Sequence, residues 1–379
     1  MRAARIAFYS TLRFHPWGAP DVLWSRAAML ALREGRAVFA TVREQIIQRP
    51  EIAALRTAGA EIHRVPEIAF GGKAARLATA IRNLRSGAAA TLRRLRAFRP
   101  EIVVINQGGF YDFISERDLF AIIEELGCRY IILAHSNRET DAMSAALRTL
   151  ALKRLRGARR VLAISSHTVE LAERQLLDRI GNSTVFQNPV DVPAELPVPW
   201  PAATAPAFAV VSRLDAHGKG LDILFGALRQ GLGLEADWQL NLYGEGPDRD
   251  YLENLSRWEG IADRVRFQGY VADKAAIWRS NHLLLLPSRW EGCSYAMVEA
   301  LLCGRLVLRT NFGGVAEWMH DGVNGFVCPA ADQNLLAQTL ATAWNRRQEW
   351  REMGAAAHAR AIAAVDPRPE TKLLALFDE

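Results

Sequence analysis

Residues 282–310 read HLLLLPSRWEGCSYAMVEALLCGRLVLRT. Four leucines run unbroken to Pro287, and a short apolar run stopped by proline reads as a buried strand. A loop carrying Glu291 follows. Ser294 suits a helix N-cap, YAMVEALLC has the composition of a helix, and Gly304 closes it. RLVLRT (305–310) is then the next buried strand. Two strands, apolar throughout and joined by a helix, predict a parallel sheet covered on both faces.

The same unit recurs in both directions. AFAVVS (207–212), WQLNLYG (238–244) and RVRFQG (264–269) are strands spaced by helix-length segments. A helix is expected over 332–349, and PETKLLALF (369–377) closes the chain. Upstream, RIAFYS (5–10), RAVFATV (36–42), AEIHRV (60–65), IVVIN (102–106), YIILA (130–134) and RVLAIS (160–165) form a second series. Between the series, PAELPVPWPAATAP (193–206) holds five prolines, which suit a linker and no regular element. The expected architecture is α/β: two doubly wound, Rossmann-like domains facing across a cleft. Residues 1–195 form the first, 196–206 the linker and 207–365 the second, with 366–379 packing back on the first. Ligands of such sheets bind at the carboxyl ends of the strands.

With 379 residues, 50% hydrophobic and 23% charged, the chain suits two or three globular domains, not a disordered or coiled-coil protein. No apolar run approaches the ~18 residues of a membrane span. MRAARIAFYS has too short an apolar stretch for a signal-peptide core. Cys128, Cys293, Cys303 and Cys328 form no CxxC pair, so neither a disulfide framework nor a zinc site is expected. A reducing cytoplasm is the expected compartment. Net charge is +6, but unevenly spread: residues 1–200 hold 29 Lys+Arg against 19 Asp+Glu, and 201–379 hold 18 against 22. The first half therefore seeks something anionic.

Candidate chemistry clusters in the second half. Glu291 projects from a loop and Glu299 from the helix after it, and free amides at that helix start can hold hydroxyls or anionic oxygens. VVSRLDAHGKGLDIL (210–224) places Arg213 and Lys219 after a strand, with Gly218 and Gly220 beside the lysine. Two cations with close backbone approach suit a diphosphate leaving group. NFGGVAEWMHDGVNGFVCP (311–329) brackets Glu317 with glycine turns. The GxG of LYGEGPDR (242–249) lacks the rest of a dinucleotide fingerprint. HExxH, GxSxG and Walker A motifs are absent, so no metal chemistry is indicated.

Taken together, RL…KG, YGEGP, FQGYV, EGCSYAMVE and GGVAEWMHDGVNGFV resemble the nucleotide-sugar glycosyltransferases of family 4, which have the GT-B fold. The resemblance covers 207–330. It implies an enzyme of the hexosyltransferase type, retaining anomeric configuration, with no metal and no cofactor beyond the nucleotide-sugar co-substrate. By position, Arg213 and Lys219 would hold the donor diphosphate and Glu299 the ribose. Glu291, with Gly292, Cys293, Ser294 and Tyr295, would hold the sugar. Tyr270 and Val271 would line the base pocket. His135 would lie near the sugar, and Gly18, where the family often has a Gly-Gly pair, near the phosphate. The base, sugar and acceptor stay open. A GT-B nucleotide-sugar epimerase and a non-catalytic basic binding protein are the alternatives.

Residues 73–99, KAARLATAIRNLRSGAAATLRRLRAFR, carry eight cations and no acid. Leu77, Ile81, Leu84, Leu92, Leu95 and Phe98 recur at roughly helical spacing, broken at Gly87. A second basic cluster spans 148–160. A basic amphipathic segment suits an anionic membrane surface, here the inner leaflet, and many relatives use lipid-linked acceptors. Nucleic acid is the disfavoured reader of this charge, and a solvated helix face is the plain alternative.

Overall fold

A computed structural model of the chain describes residues 4–13, 17–67, 73–85, 87–139, 143–191, 193, 196–203 and 205–379. His15 and Pro16 of the HPWGAP loop, the side chains of Lys73 and Arg76, and Thr204 lie outside what is described. The chain divides into two compact units, Met1–Pro189 with Asp366–Glu379, and Val190–Val365.

The first unit holds seven strands: β1 (Arg5–Ser10), β2 (Ala37–Val42), β3 (Glu61–Arg64), β4 (Ile102–Gly109), β5 (Arg129–Ser136), β6 (Arg160–Ala163) and β7 (Ser183–Val185). They pair in parallel in the order 3-2-1-4-5-6-7. The second unit holds β8 (Ala207–Val211), β9 (Gln239–Tyr243), β10 (Val265–Gly269), β11 (Leu283–Leu286), β12 (Leu306–Thr310) and β13 (Phe326–Cys328). These are also parallel, in the order 10-9-8-11-12-13. The strand order reverses between β1 and β4 in the first sheet and between β8 and β11 in the second. Those are the switch points where such sheets bind ligands.

The unbroken apolar runs follow from burial on two faces. Leu283, Leu285, Leu306 and Leu308 enter one core layer of the second unit, and Leu284, Leu286 and Val307 the other. Each buried leucine contributes about 1.5–3 kcal/mol relative to exposure. In the first unit Ile6 and Phe8 face one layer and Ala7 and Tyr9 the opposite one. Residues Asp366–Glu379 complete the first unit. Leu373, Leu374 and Phe377 fill its core, Phe377 lies 6.0 Å from Phe8, and Asp378 pairs with the Arg36 guanidinium at 2.7 Å through both oxygens.

Several elements differ from the sequence reading. β7 and β13 are three-residue edge strands, too short to show a period. The helix expected over 332–349 ends at Asn345, and a further helix, Trp350–Ala364, follows. That helix is rich in alanine and shows little amphipathic contrast. It packs through small residues, and a Cβ on Gly354 would stand 2.5 Å from the Gly304 carbonyl. The proline-rich stretch 196–203 has no regular element. It is held on the second unit by buried Arg305, which donates to the carbonyls of Val198 and Pro199. Leu92, Leu95 and Phe98 of the basic segment pack on the core of the first unit, whereas Leu77, Ile81 and Leu84 lie 48–73% exposed. Arg154, in the second basic cluster, is buried and donates to the carbonyls of Phe113 and Ile114. Among the described residues, no helix is long and apolar enough to cross a membrane.

Candidate active site

The loops after β8 and β11 flank the switch point of the second sheet. The first runs from Ser212 to Gly220 and feeds the helix Leu221–Leu232. The second runs from Pro287 to Ser294 and feeds the helix Tyr295–Leu302. Lys219 Nζ donates to Glu291 Oε1 at 2.6 Å, so two residues 72 positions apart meet. Arg289 anchors the same two loops, pairing with Asp222 at 2.6 and 2.9 Å and donating to the His217 carbonyl. Arg213 is exposed at the carboxyl edge and makes no ion pair among the described residues.

Backbone contact sets how closely these loops approach. Gly220 has φ +66°, and a Cβ there would stand 1.9 Å from the Pro287 carbonyl oxygen. Gly313 has φ +65°, and its Cβ would stand 2.1 Å from the Gly292 oxygen, which also accepts the Gly314 amide at 2.8 Å. The glycines of the GxG serve the same packing: a Cβ on Gly244 or Gly246 would strike the carbonyl of Ser212 or Leu214. That accounts for the motif without a dinucleotide.

Glu299 lies on the buried helix, 6% exposed, with Lys274 Nζ 3.4 Å from its Oε2. Burial raises its pKa above the ordinary carboxylate range, against the opposing pull of Lys274. Ser294 stands at the N-cap position of that helix, but its hydroxyl makes no capping bond. Gly292 and Ser294 are buried, while Cys293 and Tyr295 are half-buried. Burial pushes the Cys293 thiol up to about 12, so it stays a neutral thiol. After β10, Tyr270 is 74% exposed and Val271 packs on the apolar layer beneath.

Gly18 and His135 belong to the first unit. Gly18 precedes the helix Ala19–Arg33, and its amide donates to Asp21 at 3.0 Å. Asp21 is itself gripped by buried Arg43 at 2.8 and 2.7 Å. His135 sits near the end of β5, with Nε2 3.0 Å from Asn106 Oδ1 and Nδ1 3.3 Å from Asn188 Nδ2. Burial lowers its pKa to about 3, so the ring is neutral. Its Nε2–H then donates to Asn106, and Nδ1 accepts from Asn188.

Residues 205–346 match the family model described as glycosyl transferases group 1. That match falls within the second unit. The chain is 34% identical over 128 residues to a glycogen synthase of Pseudomonas savastanoi, covering 33% of this chain and 26% of that protein. A phosphatidyl-myo-inositol mannosyltransferase of Mycobacterium leprae is 30% identical over 204 residues, 52% of this chain and 54% of its own. The chain thus matches about a quarter to a half of the length of these relatives. A crystal structure of Anabaena HepE in complex with UDP superposes with a TM-score of 0.73 at 20% identity, covering 98% of both chains. The fold of the whole chain is therefore GT-B.

Two residues of the group 1 unit escaped the sequence reading. Lys274 partners Glu299. Arg309 lies fully buried in β12, under the loops, and donates to Met297 Sδ at 3.0 Å and to the carbonyls of Thr310 and Phe312. Burial lowers its pKa, while Glu291, Cys293 and Glu317 raise it, so a positive charge sits beneath the Glu291 loop. The available signal was a cation inside an otherwise apolar strand, a costly placement that needs partners.

Proposed function

We propose that the protein is a retaining glycosyltransferase that moves a hexose-type sugar from a nucleotide-sugar donor to a hydroxyl of a glycan or lipid-linked acceptor. The observation that carries this reading is the Lys219–Glu291 contact across the second switch point. In the free protein Glu291 neutralises Lys219. A donor diphosphate, with its larger charge, takes Lys219 together with exposed Arg213, and Glu291 is released to accept hydrogen bonds from the sugar. Buried Glu299, beside Lys274, accepts from the ribose hydroxyls. The backbone of 292–295 lies along the sugar, and Tyr270 and Val271 take the base. The UDP bound to Anabaena HepE supports a nucleoside diphosphate as the donor class.

In the reaction the bond from C1 to the diphosphate oxygen breaks through an oxocarbenium-like transition state. The acceptor oxygen joins C1 on the face the diphosphate leaves. Its proton passes to the departing phosphate oxygen, the base that the step creates. Arg213 and Lys219 stabilise the charge growing on that group, so the chain's own cations take the part a metal would play. In the first unit, Gly18 and His135 are the candidates that the family resemblance assigns to the phosphate and the sugar, His135 as a neutral ring.

The basic first half is assigned to the acceptor, and the exposed Leu77, Ile81 and Leu84 beside Arg82 and Arg85 to an anionic inner leaflet. Calorimetry with UDP-, GDP- and ADP-sugars tests the donor site. One base is expected to bind, and Lys219→Ala to weaken it roughly 10–150-fold, the value of a charge-assisted hydrogen bond. Unchanged affinity in that variant refutes the assignment. Activity that EDTA abolishes and a divalent ion restores refutes the metal-free reading.

A further inference from the structure

The ends of β2 and β3 and the helix Lys73–Arg85 enclose a cavity of about 390 Å³ lined by Arg13, Arg43, Arg64, Arg82 and Arg85. Two of these arginines are fixed from behind. Arg43 is locked on buried Asp21 through both nitrogens. Arg13 is held by buried Glu116 at 2.5 Å and donates to the carbonyls of Pro66 and Thr11. The cavity wall is pinned by Asn83, whose side chain exchanges hydrogen bonds with the backbone N–H and carbonyl of Glu67.

The ion pairs at the mouth are different. Arg64 pairs with Glu44 at 2.6 Å and Arg82 with Glu67 at 2.7 Å, yet these carboxylate side chains are 63% and 37% exposed. An exposed carboxylate gains little from such a pair, because water competes for both partners. A phosphate group carries more charge and matches guanidinium forks through several oxygens at once, so it displaces the glutamates. An ordinary solvated ion-pair cluster would scatter its arginines over a convex surface. Here five converge on one concavity at the carboxyl edge of a parallel sheet. The helix that supplies Arg82 and Arg85 also presents the exposed Leu77, Ile81 and Leu84.

We propose that this cavity binds the phosphate of an anionic acceptor, a phosphate ester of a sugar or of glycerol, and that Glu44 and Glu67 occupy it in the ligand's absence. The inference rests on the reading that the first unit takes the acceptor.

The test uses the full chain at low salt with glycerol 3-phosphate as probe, read by calorimetry, and with vesicles of phosphatidylcholine with or without phosphatidylglycerol. Glycerol 3-phosphate is expected to bind saturably. Arg64→Gln combined with Arg82→Gln is expected to weaken it roughly 10–150-fold or more, the loss of at least one charge-assisted hydrogen bond. Glu44→Gln combined with Glu67→Gln is expected to tighten it. A lipid source is indicated if phosphatidylglycerol vesicles compete with the soluble probe, and a soluble source if they do not. UDP affinity, unchanged in every variant, reports an intact fold. Binding of neither probe, indifference to the arginine pair, or weakening by the glutamate pair overturns the proposal. Phosphate-ester binding without any nucleotide binding would instead refute the donor assignment and leave the cavity standing.

Discussion

Replacing Glu299 with Gln separates binding from stability. The carboxylate is nearly closed to water, and Lys274 lies 3.4 Å away. At an effective dielectric of about 20, that pair attracts by about 5 kcal/mol before desolvation. Burial nevertheless leaves the Glu299 pKa raised, so desolvation outweighs the attraction. A raised folded pKa means that the carboxyl supports the fold below its unfolded value and loses that support as pH rises through the folded value. Where the carboxyl is ionised, its charge therefore costs stability. Lys274 is a third exposed and resolvates when its partner goes. Glu299→Gln is expected to melt at the wild-type temperature or above it at pH 7. The gap should close as pH falls and the wild-type carboxyl takes up its proton. Each kcal/mol is worth roughly 2–4 °C in a domain of this size. Donor affinity is expected to fall roughly 10–150-fold, the loss of about 1.5–3 kcal/mol of charge-assisted hydrogen bonding to the ribose. Thermal melts across pH and calorimetry with UDP measure the two effects. A variant that melts several degrees lower and binds UDP as before would make Glu299 a structural residue and refute the reasoning.

Gly313→Ala should cost more than about 1 kcal/mol from the left-handed backbone alone, with a further cost from the clash with the Gly292 oxygen. Both melting temperature and UDP affinity should drop, and an unchanged melt would contradict the interlock. His135 refuses a proton that the unfolded chain accepts, so wild-type stability should fall as pH drops from about 6.5 towards 3. His135→Gln should flatten that part of the melting-temperature curve, and parallel curves for the two proteins would show that the ring is not neutral in the fold. Leu77→Ser with Leu84→Ser should reduce co-sedimentation with phosphatidylglycerol vesicles roughly 100-fold, at about 1.5 kcal/mol or more per side chain. Equal sedimentation would return this face to solvent.

The β11–loop–β12 unit was legible because its leucines are buried on both faces, which removes any ambiguity of period. Glu291 and Glu299 stood out as charges beside such a unit. Arg309 was visible as a letter but not as a site residue, since only the closed sheet puts it under the Glu291 loop. The two asparagines that fix the His135 ring lie 29 positions before it and 53 after it, and no local pattern links them. Spacing alone made Leu77 and Leu95 look alike. One turned out exposed and the other buried, because the next helix, and not the first, lies on the core. The arginine cavity draws on positions from 13 to 85, so its convergence belongs to the topology of β1–β3.

The return of residues 366–379 to the first unit has a consequence for synthesis. On the ribosome, residues 1–189 emerge first but leave open the core positions that Leu373, Leu374 and Phe377 fill. The second unit, 190–365, is contiguous and has all of its own core before those residues are made. The core of the first unit is thus completed only after the whole of the second has been made, and until then the apolar surface around Phe8 lacks its cover. A nascent chain stalled before residue 366 presents that surface to chaperones or to other chains, and the last turn of helix is what ends the exposure.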